Sequence, residues 1–94
     1  MPAHLIVEVY NHDTGWLAAY RDNVPQIVAA FGGRYVARTL HAVAIEGDDA
    51  LPDTLAILEF PSIEAAKAML AAPEYQPYRQ ARLAGATTRM LAIG

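Results

Sequence analysis

Three side chains in this sequence are the candidates to move a proton or hold a charged group: Arg38, His41 and Glu59. A histidine titrates near neutral pH, so His41, in the segment RTLHAV, is a candidate general base or ligand. Glu59 is flanked by Leu58 and Phe60, and a carboxylate buried there needs a partner or becomes neutral. Arg38 is a natural partner for it and can also hold an anionic group of a substrate. We therefore predict that these three residues are catalytic.

Each candidate also has a structural explanation. His41 can be explained as a partly exposed histidine that forms a hydrogen bond at an irregularity of a strand. Glu59 can be explained as a member of a structural ion pair. The histidines and carboxylates show none of the regular spacings of a metal site, so we predict no metal and no cofactor. The absence of cysteine excludes thiolate catalysis, and the single serine, Ser62, is explained as a helix cap.

Three aromatic residues are candidates for the wall of a substrate site: Trp16, Tyr75 and Tyr78. The two tyrosines lie in PEYQPYRQAR, where Pro73 interrupts one helix and can begin a second. Helical spacing places both tyrosines on roughly one face of that second helix. The alternative is that Tyr75 and Tyr78 are core or dimer contacts, because buried tyrosines commonly have that role.

The elements that must position these residues follow from hydrophobic periodicity. Spacings of three and four predict one helix after Asp13 and another after Ser62. Apolar runs and alternation predict four strands, over residues 3–10, 34–46, 54–60 and 86–93. The second segment is long for one strand, so we expect a bulge or bend near residues 39–41.

The order β-α-β-β-α-β predicts an α+β fold of the ferredoxin-like type, in a single domain over residues 1–94. Its product is a four-stranded antiparallel sheet with helices on one face. The strand at 54–60 is largely apolar on both sides, which indicates that the second sheet face is also buried. The chain is 54% hydrophobic and only 18% charged. We therefore predict a homodimer that forms through the open sheet face.

Net charge and hydropathy bear on whether the protein binds nucleic acid or a membrane. A net charge of −3 argues against nucleic acid and against an anionic membrane surface. The sequence has no apolar run of the ~18 residues that would suggest a membrane span, and its N-terminus does not read as a signal peptide. We expect a cytoplasmic protein.

Several stretches together resemble one family. FGGRYVAR, then IEG, LEFPSIEAAKAML and APEYQPYRQAR are similar to the uncharacterised family known as domain of unknown function 1330. The resemblance covers nearly the whole chain and implies a dimeric α+β barrel. It implies no reaction. Wider relatives of that fold include cofactor-free monooxygenases of aromatic substrates and muconolactone isomerase-like enzymes, but a shared fold does not transfer an activity.

Two functions are therefore open. The first is a homodimeric enzyme that acts on a small apolar or aromatic compound without an obligatory cofactor, in a monooxygenase- or isomerase-like reaction. The second is a non-catalytic dimeric module for ligand binding or regulation. A cavity of more than ~300 Å³ between sheet and helices, lined by Arg38, His41 or Glu59, would favour the enzyme, and a solid interior would favour the module.

Overall fold

The computed structural model describes residues 2–94 and confirms the predicted α+β architecture. Four strands and three helices follow the expected order, with a short 3₁₀ turn at Pro73–Tyr75 before the last helix. Their bounds are β1 Ala3–Asn11, α1 Leu17–Ala30, β2 Arg34–Thr39, β3 Thr54–Phe60, α2 Ile63–Ala71, α3 Gln76–Gly85 and β4 Ala86–Ile93.

The four strands form one antiparallel sheet in the order β2-β3-β1-β4, the ferredoxin-like order. In the centre of the sheet, Ile6 pairs with Ile57 on one side and with Leu91 on the other. Residues opposite one another in a sheet point to the same face. This register therefore decides which side chains meet the helices and which lie on the open face.

The helices cover one face of the sheet and bury every second residue of its central strands. Leu5, Val7 and Val9 of β1 are buried, as are alternate residues of β3 from Ala56 to Phe60. Between them, residues on the open face are only half-buried. The two-sided apolar pattern of β3 thus produces a covered face and an apolar open face.

Capping geometry accounts for two helix boundaries and confirms Ser62 as a helix cap. Gly32 follows α1 with φ of +79°, a left-handed conformation that closes helices and favours glycine. The Ser62 hydroxyl accepts a hydrogen bond from the Ala65 backbone N–H at 3.0 Å, which caps α2. α1 runs continuously through Pro25.

The second strand is shorter than predicted. β2 ends at Thr39, and the chain from 40 to 53 contains no strand, whereas the sequence suggested a strand to residue 46. The register explains the difference: Thr39 lies opposite Leu55, near the start of β3, so residues beyond it have no partner on β3. The irregularity also lies earlier than expected, between Tyr35 and Ala37 rather than at residues 39–41.

Within the part of the chain that is described, none of the helices has both the length and the apolar character needed to cross a bilayer.

Candidate functional site

A cavity of about 380 Å³ lies between the sheet and the helices. Its floor is the buried face of β1 and β3, and its other walls come from all three helices and the 3₁₀ turn. Most of the lining is apolar, and the polar or charged members are few: Asn11, Tyr20, Arg21, Tyr35, Arg38, Asp53, Thr54, Tyr75 and Arg82. An apolar cavity with a few convergent polar groups is typical of a small-molecule site.

The inner end of the cavity carries a pair of tyrosines. The Tyr20 and Tyr75 hydroxyl oxygens are 2.5 Å apart and share a hydrogen bond, and their rings meet edge to face. Tyr75 is completely buried. Burial and the neighbouring Tyr75 hydroxyl raise the pKa of Tyr20 far above its ordinary value. The Tyr20 hydroxyl therefore acts as a neutral hydrogen-bonding group near pH 7.

Arg82 is the one buried charged residue among those described, with 4% of its surface exposed. Its Nη1 donates a hydrogen bond to the Thr88 hydroxyl, whereas its Nε has no acceptor within residues 2–94. Asn11 also lines the cavity, and its Oδ1 is buried without a donor from this part of the chain. Two buried polar atoms of cavity-lining residues, Arg82 Nε and Asn11 Oδ1, therefore lack a hydrogen-bond partner among the described residues.

Local sequence explains how these groups reach the cavity. Pro73 begins the 3₁₀ turn, and Arg82 follows Tyr75 by seven residues, about two turns of helix, so both lie on one face of the turn and α3. α3 ends at Gly85, which lies against the Trp16 ring. A Cβ at Gly85 would come within 2.9 Å of Trp16 Nε1 and even closer to Cδ1. The glycine therefore permits Trp16 to form the wall.

The outer end of the cavity reaches the surface. Exposed residues line it there, including Arg21, Arg38 and Leu40. The Arg38 guanidinium lies 5.7 Å from the centre of the Tyr35 ring, within the range of a cation–π contact. Burial raises the pKa of Tyr35, so this ring also stays neutral at physiological pH. The mouth is therefore cationic and aromatic.

The structure brings together three of the six residues named from sequence. Arg38, Trp16 and Tyr75 all line the cavity. Trp16 is held in place by its Nε1–H, which donates to the Asp13 carbonyl oxygen at 2.9 Å. Trp16 also packs edge to face on Tyr20, with ring centres 5.2 Å apart.

The other three residues lie outside the cavity. His41 is exposed in the loop after β2, where its backbone N–H donates to the Thr39 hydroxyl. Tyr78 is half-buried and packs against the hydrophobic core. Glu59 lies on the open sheet face, where its carboxylate is 3.1 Å from Arg34 Nε and 3.4 Å from His4 Nε2.

The expected ion pair between Arg38 and Glu59 is wrong. Glu59 pairs instead with Arg34, which lies directly opposite it in the register. Arg38 lies opposite Ala56, whose side chain is on the covered face of the sheet. The two residues therefore occupy opposite faces.

Sequence reasoning missed several cavity residues, among them Asn11, Tyr20 and Arg82. In the sequence, Asn11 belongs to a stretch that is typical of a turn, and Tyr20 is one of the apolar positions of α1. Arg82 could have been identified from the sequence, because its spacing places it on the same helical face as Tyr75. An arginine on the buried face of a helix is unusual enough to be examined as a site residue.

No group of three or more histidine and acidic side chains suited to a metal ion is found within residues 2–94.

Comparison with known proteins identifies the family. A family model described as Domain of unknown function (DUF1330) matches residues 2–94. The chain belongs to this family. A search of curated proteins finds no match for this DUF1330 chain.

Solved structures share its fold. RPA0582 from Rhodopseudomonas palustris, a protein of unknown function, is 22% identical, with a TM-score of 0.84 over 98% of this chain and 80% of that chain. SnoaB from Streptomyces nogalater, a cofactor-independent oxygenase, is 16% identical, with a TM-score of 0.65 over 99% of this chain and 91% of that one. HapK from Hahella chejuensis is 14% identical, with a TM-score of 0.63 over 98% and 90% of the two chains. At these identities the similarity concerns the fold.

Proposed function

We propose that this DUF1330 protein is a homodimeric enzyme that binds a small apolar or aromatic compound in the cavity and converts it without an obligatory cofactor. The observation that carries the proposal is the cavity itself. Its volume of about 380 Å³ lies in the range of small-molecule sites, and its floor and walls are mainly apolar. A chain that needed only a stable core would gain stability by filling this space.

The residues that line the cavity suit an aromatic ligand. Trp16 and Tyr75 offer ring edges and faces to a planar molecule, and Arg38 lies where the ligand would enter. The similarity to SnoaB supports a cofactor-independent, monooxygenase-like reaction as one version of the proposal, by analogy of fold. An isomerase-like reaction suits the same cavity.

A second candidate, a non-catalytic ligand-binding module, is favoured by one specific observation. The two residues expected to move a proton, His41 and Glu59, lie outside the cavity. Asp53 is the one carboxylate among the described residues that line the cavity, and its Oδ2 accepts a hydrogen bond from the Asn11 backbone N–H at 2.7 Å. An enzyme built on this cavity would therefore depend more on binding and positioning than on a dedicated base.

Binding is tested first, with a thermal-shift and calorimetric screen of small aromatic acids, phenols and quinones. We expect one class to bind the wild type and to lose binding in Ala56→Leu, which fills the floor of the cavity. Ala68→Leu, on the exposed side of α2, is the matched control and should bind normally. If no compound binds, or if Ala56→Leu binds as well as the control, the proposed site is wrong.

A turnover assay distinguishes the proposed enzyme from the non-catalytic module. Bound compounds are incubated with the protein in air, and product formation and oxygen consumption are followed by mass spectrometry and an oxygen electrode. A product that forms at the same rate in Ala68→Leu and is lost in Ala56→Leu supports the enzyme. Tight binding without any product supports the module.

The open sheet face supports the proposed homodimer. A row of apolar residues crosses it in register: Ala37, Ile57, Ile6 and Leu91. The neighbouring rows carry both charges, with Arg34 beside Glu59 on one side and Glu8 beside Arg89 on the other. An apolar centre with a mixed-charge rim can match a second copy of itself across a two-fold axis.

The loop between β2 and β3 adds to the same argument. Large apolar side chains are exposed along it, and Val43 and Ile45 have 78% and 90% of their surface in contact with solvent. Leu40 and Leu51 are also exposed. Exposed apolar residues in such number are typical of a surface that another chain covers. We propose that the partner subunit packs on this loop as well as on the sheet.

A further inference from the structure

The charge distribution of the cavity opposes that of the whole chain. The chain contains 7 Lys and Arg residues and 10 Asp and Glu residues, so it is acidic overall. The cavity lining nevertheless contains three arginines, Arg21, Arg38 and Arg82, and one carboxylate, Asp53. A cavity of this charge attracts anions, and the effect is strengthened by its apolar walls.

Arg82 is the most buried of these three arginines. With 4% of its surface exposed, it makes one side-chain hydrogen bond, from Nη1 to the Thr88 hydroxyl. No carboxylate of residues 2–94 lies within ion-pair distance of its guanidinium. A buried guanidinium without a countercharge destabilises a fold, and an anion placed beside it removes that penalty.

Other hydrogen-bonding groups converge on the same end of the cavity. Thr88, which holds Arg82, pairs with Val9, and Asn11 lies two residues further along the same strand and on the same face. The Asn11 Oδ1 is buried and unpaired within the described chain. In the Tyr20–Tyr75 pair one hydroxyl donates to the other, which leaves one hydroxyl hydrogen for a further acceptor.

From these observations we propose that Arg82 binds an anionic oxygen of the ligand, and that the ligand is a planar aromatic anion rather than a neutral aromatic compound. The Arg82 guanidinium and the free tyrosine hydroxyl donate to that oxygen, and the ring system lies along the apolar floor. This inference rests on the proposed function, since it names the class of molecule that the proposed cavity takes.

An aromatic carboxylate and an ionised phenol present the same chemistry to Arg82, so the test includes both. Naphthoate is compared with naphthamide, its neutral equivalent of the same shape, and para-nitrophenolate with para-nitroanisole. Calorimetry at physiological salt measures each Kd. We expect at least one anion to bind at least tenfold more tightly than its neutral partner. Which pair shows the difference identifies the source of the anionic oxygen.

The role of Arg82 is tested with Arg82→Gln, which removes the charge and keeps a hydrogen-bonding side chain. Arg79→Gln is the matched control, since Arg79 belongs to the same helix but does not line the cavity. We expect Arg82→Gln to lose tenfold or more in affinity for the anion and to keep its affinity for the neutral partner. Arg79→Gln should retain the wild-type preference.

Several outcomes would overturn the inference. Equal Kd values for anion and neutral partner in the wild type would do so and would leave the proposed cavity intact. Unchanged anion affinity in Arg82→Gln would do so as well. If Arg82→Gln does not fold, the wild-type comparison and Arg82→Lys, which keeps the charge, decide the matter. Failure of every compound, charged or neutral, would overturn the proposed function itself.

Discussion

Replacing Ile6 by lysine at the centre of the open sheet face is expected to separate the proposed dimer into folded monomers. Ile6 lies between Ile57 and Leu91 in the apolar row, so a partner subunit would bury it completely. Ile6 is already half-buried in the single chain, so burying the rest of its side chain stabilises an association by roughly 0.8–1.5 kcal/mol. A two-fold axis doubles the loss to about 1.5–3 kcal/mol, which corresponds to a roughly 10- to 10²-fold weaker dimer.

The fold of the single chain should tolerate the same change. Ile6 is only half-buried in the isolated subunit, and a lysine there can extend its amino group into water. We expect the monomer to lose no more than about 1 kcal/mol of unfolding free energy. Light scattering and sedimentation over a range of concentrations measure the association, and a circular-dichroism melt confirms that the variant is folded.

A lysine on the helical side provides the control. Ala68→Lys introduces the same side chain at an exposed position of α2 and should leave the association unchanged. The reasoning fails if Ile6→Lys dimerises with the wild-type Kd, because the open face would then not be the interface. It fails also if the wild type itself is monomeric at micromolar concentration.

Three further predictions concern the cavity and its frame. Gly85→Ala should displace Trp16 and cost about 1–3 kcal/mol in a denaturant titration, whereas Gly15→Ala, whose Cβ would meet nothing closer than 3.7 Å, should cost less than about 0.5 kcal/mol. The raised pKa of Tyr20 means that folding favours its protonated form, so stability is full below pH 10.0 and falls above it; Tyr20→Phe should reduce that alkaline slope by up to about 1.4 kcal/mol per pH unit. Ser62→Ala should lower the free energy of unfolding by about 1 kcal/mol without affecting ligand binding.

The sequence was most informative where local chemistry decides the structure. The third and fourth strands agree with their predicted bounds, residues 54–60 and 86–93, because alternation and flanking turn residues mark both ends. Ser62 is confirmed as a cap for the same reason, since the cap depends on that residue and its immediate neighbours. The ferredoxin-like order then follows from the sequence of the elements.

Prediction from the sequence was weakest where the structure of a segment depends on the element that packs or pairs with it. The residues at 40–46 are as apolar as a strand, but β3 offers them nothing to pair with, and the backbone hydrogen bonds of an edge cannot form without a neighbour. Arg82 shows the same limit in the site. Its helical spacing from Tyr75 is visible in the sequence, but its burial depends on how α3 lies over β4, which the periodicity of one helix does not determine.

The position of Arg38 depends on a single residue of β2. Arg34 lies opposite Glu59 and Tyr35 opposite Leu58, and continuing that register would place Arg38 opposite Leu55, on the open face with Glu59. The shift between Tyr35 and Ala37 inserts one extra residue, so that Arg38 lies opposite Ala56 and faces the cavity instead. A one-residue slip exchanges the two faces of a strand. The same irregularity therefore removes the ion pair expected from sequence and places a cation at the mouth of the cavity.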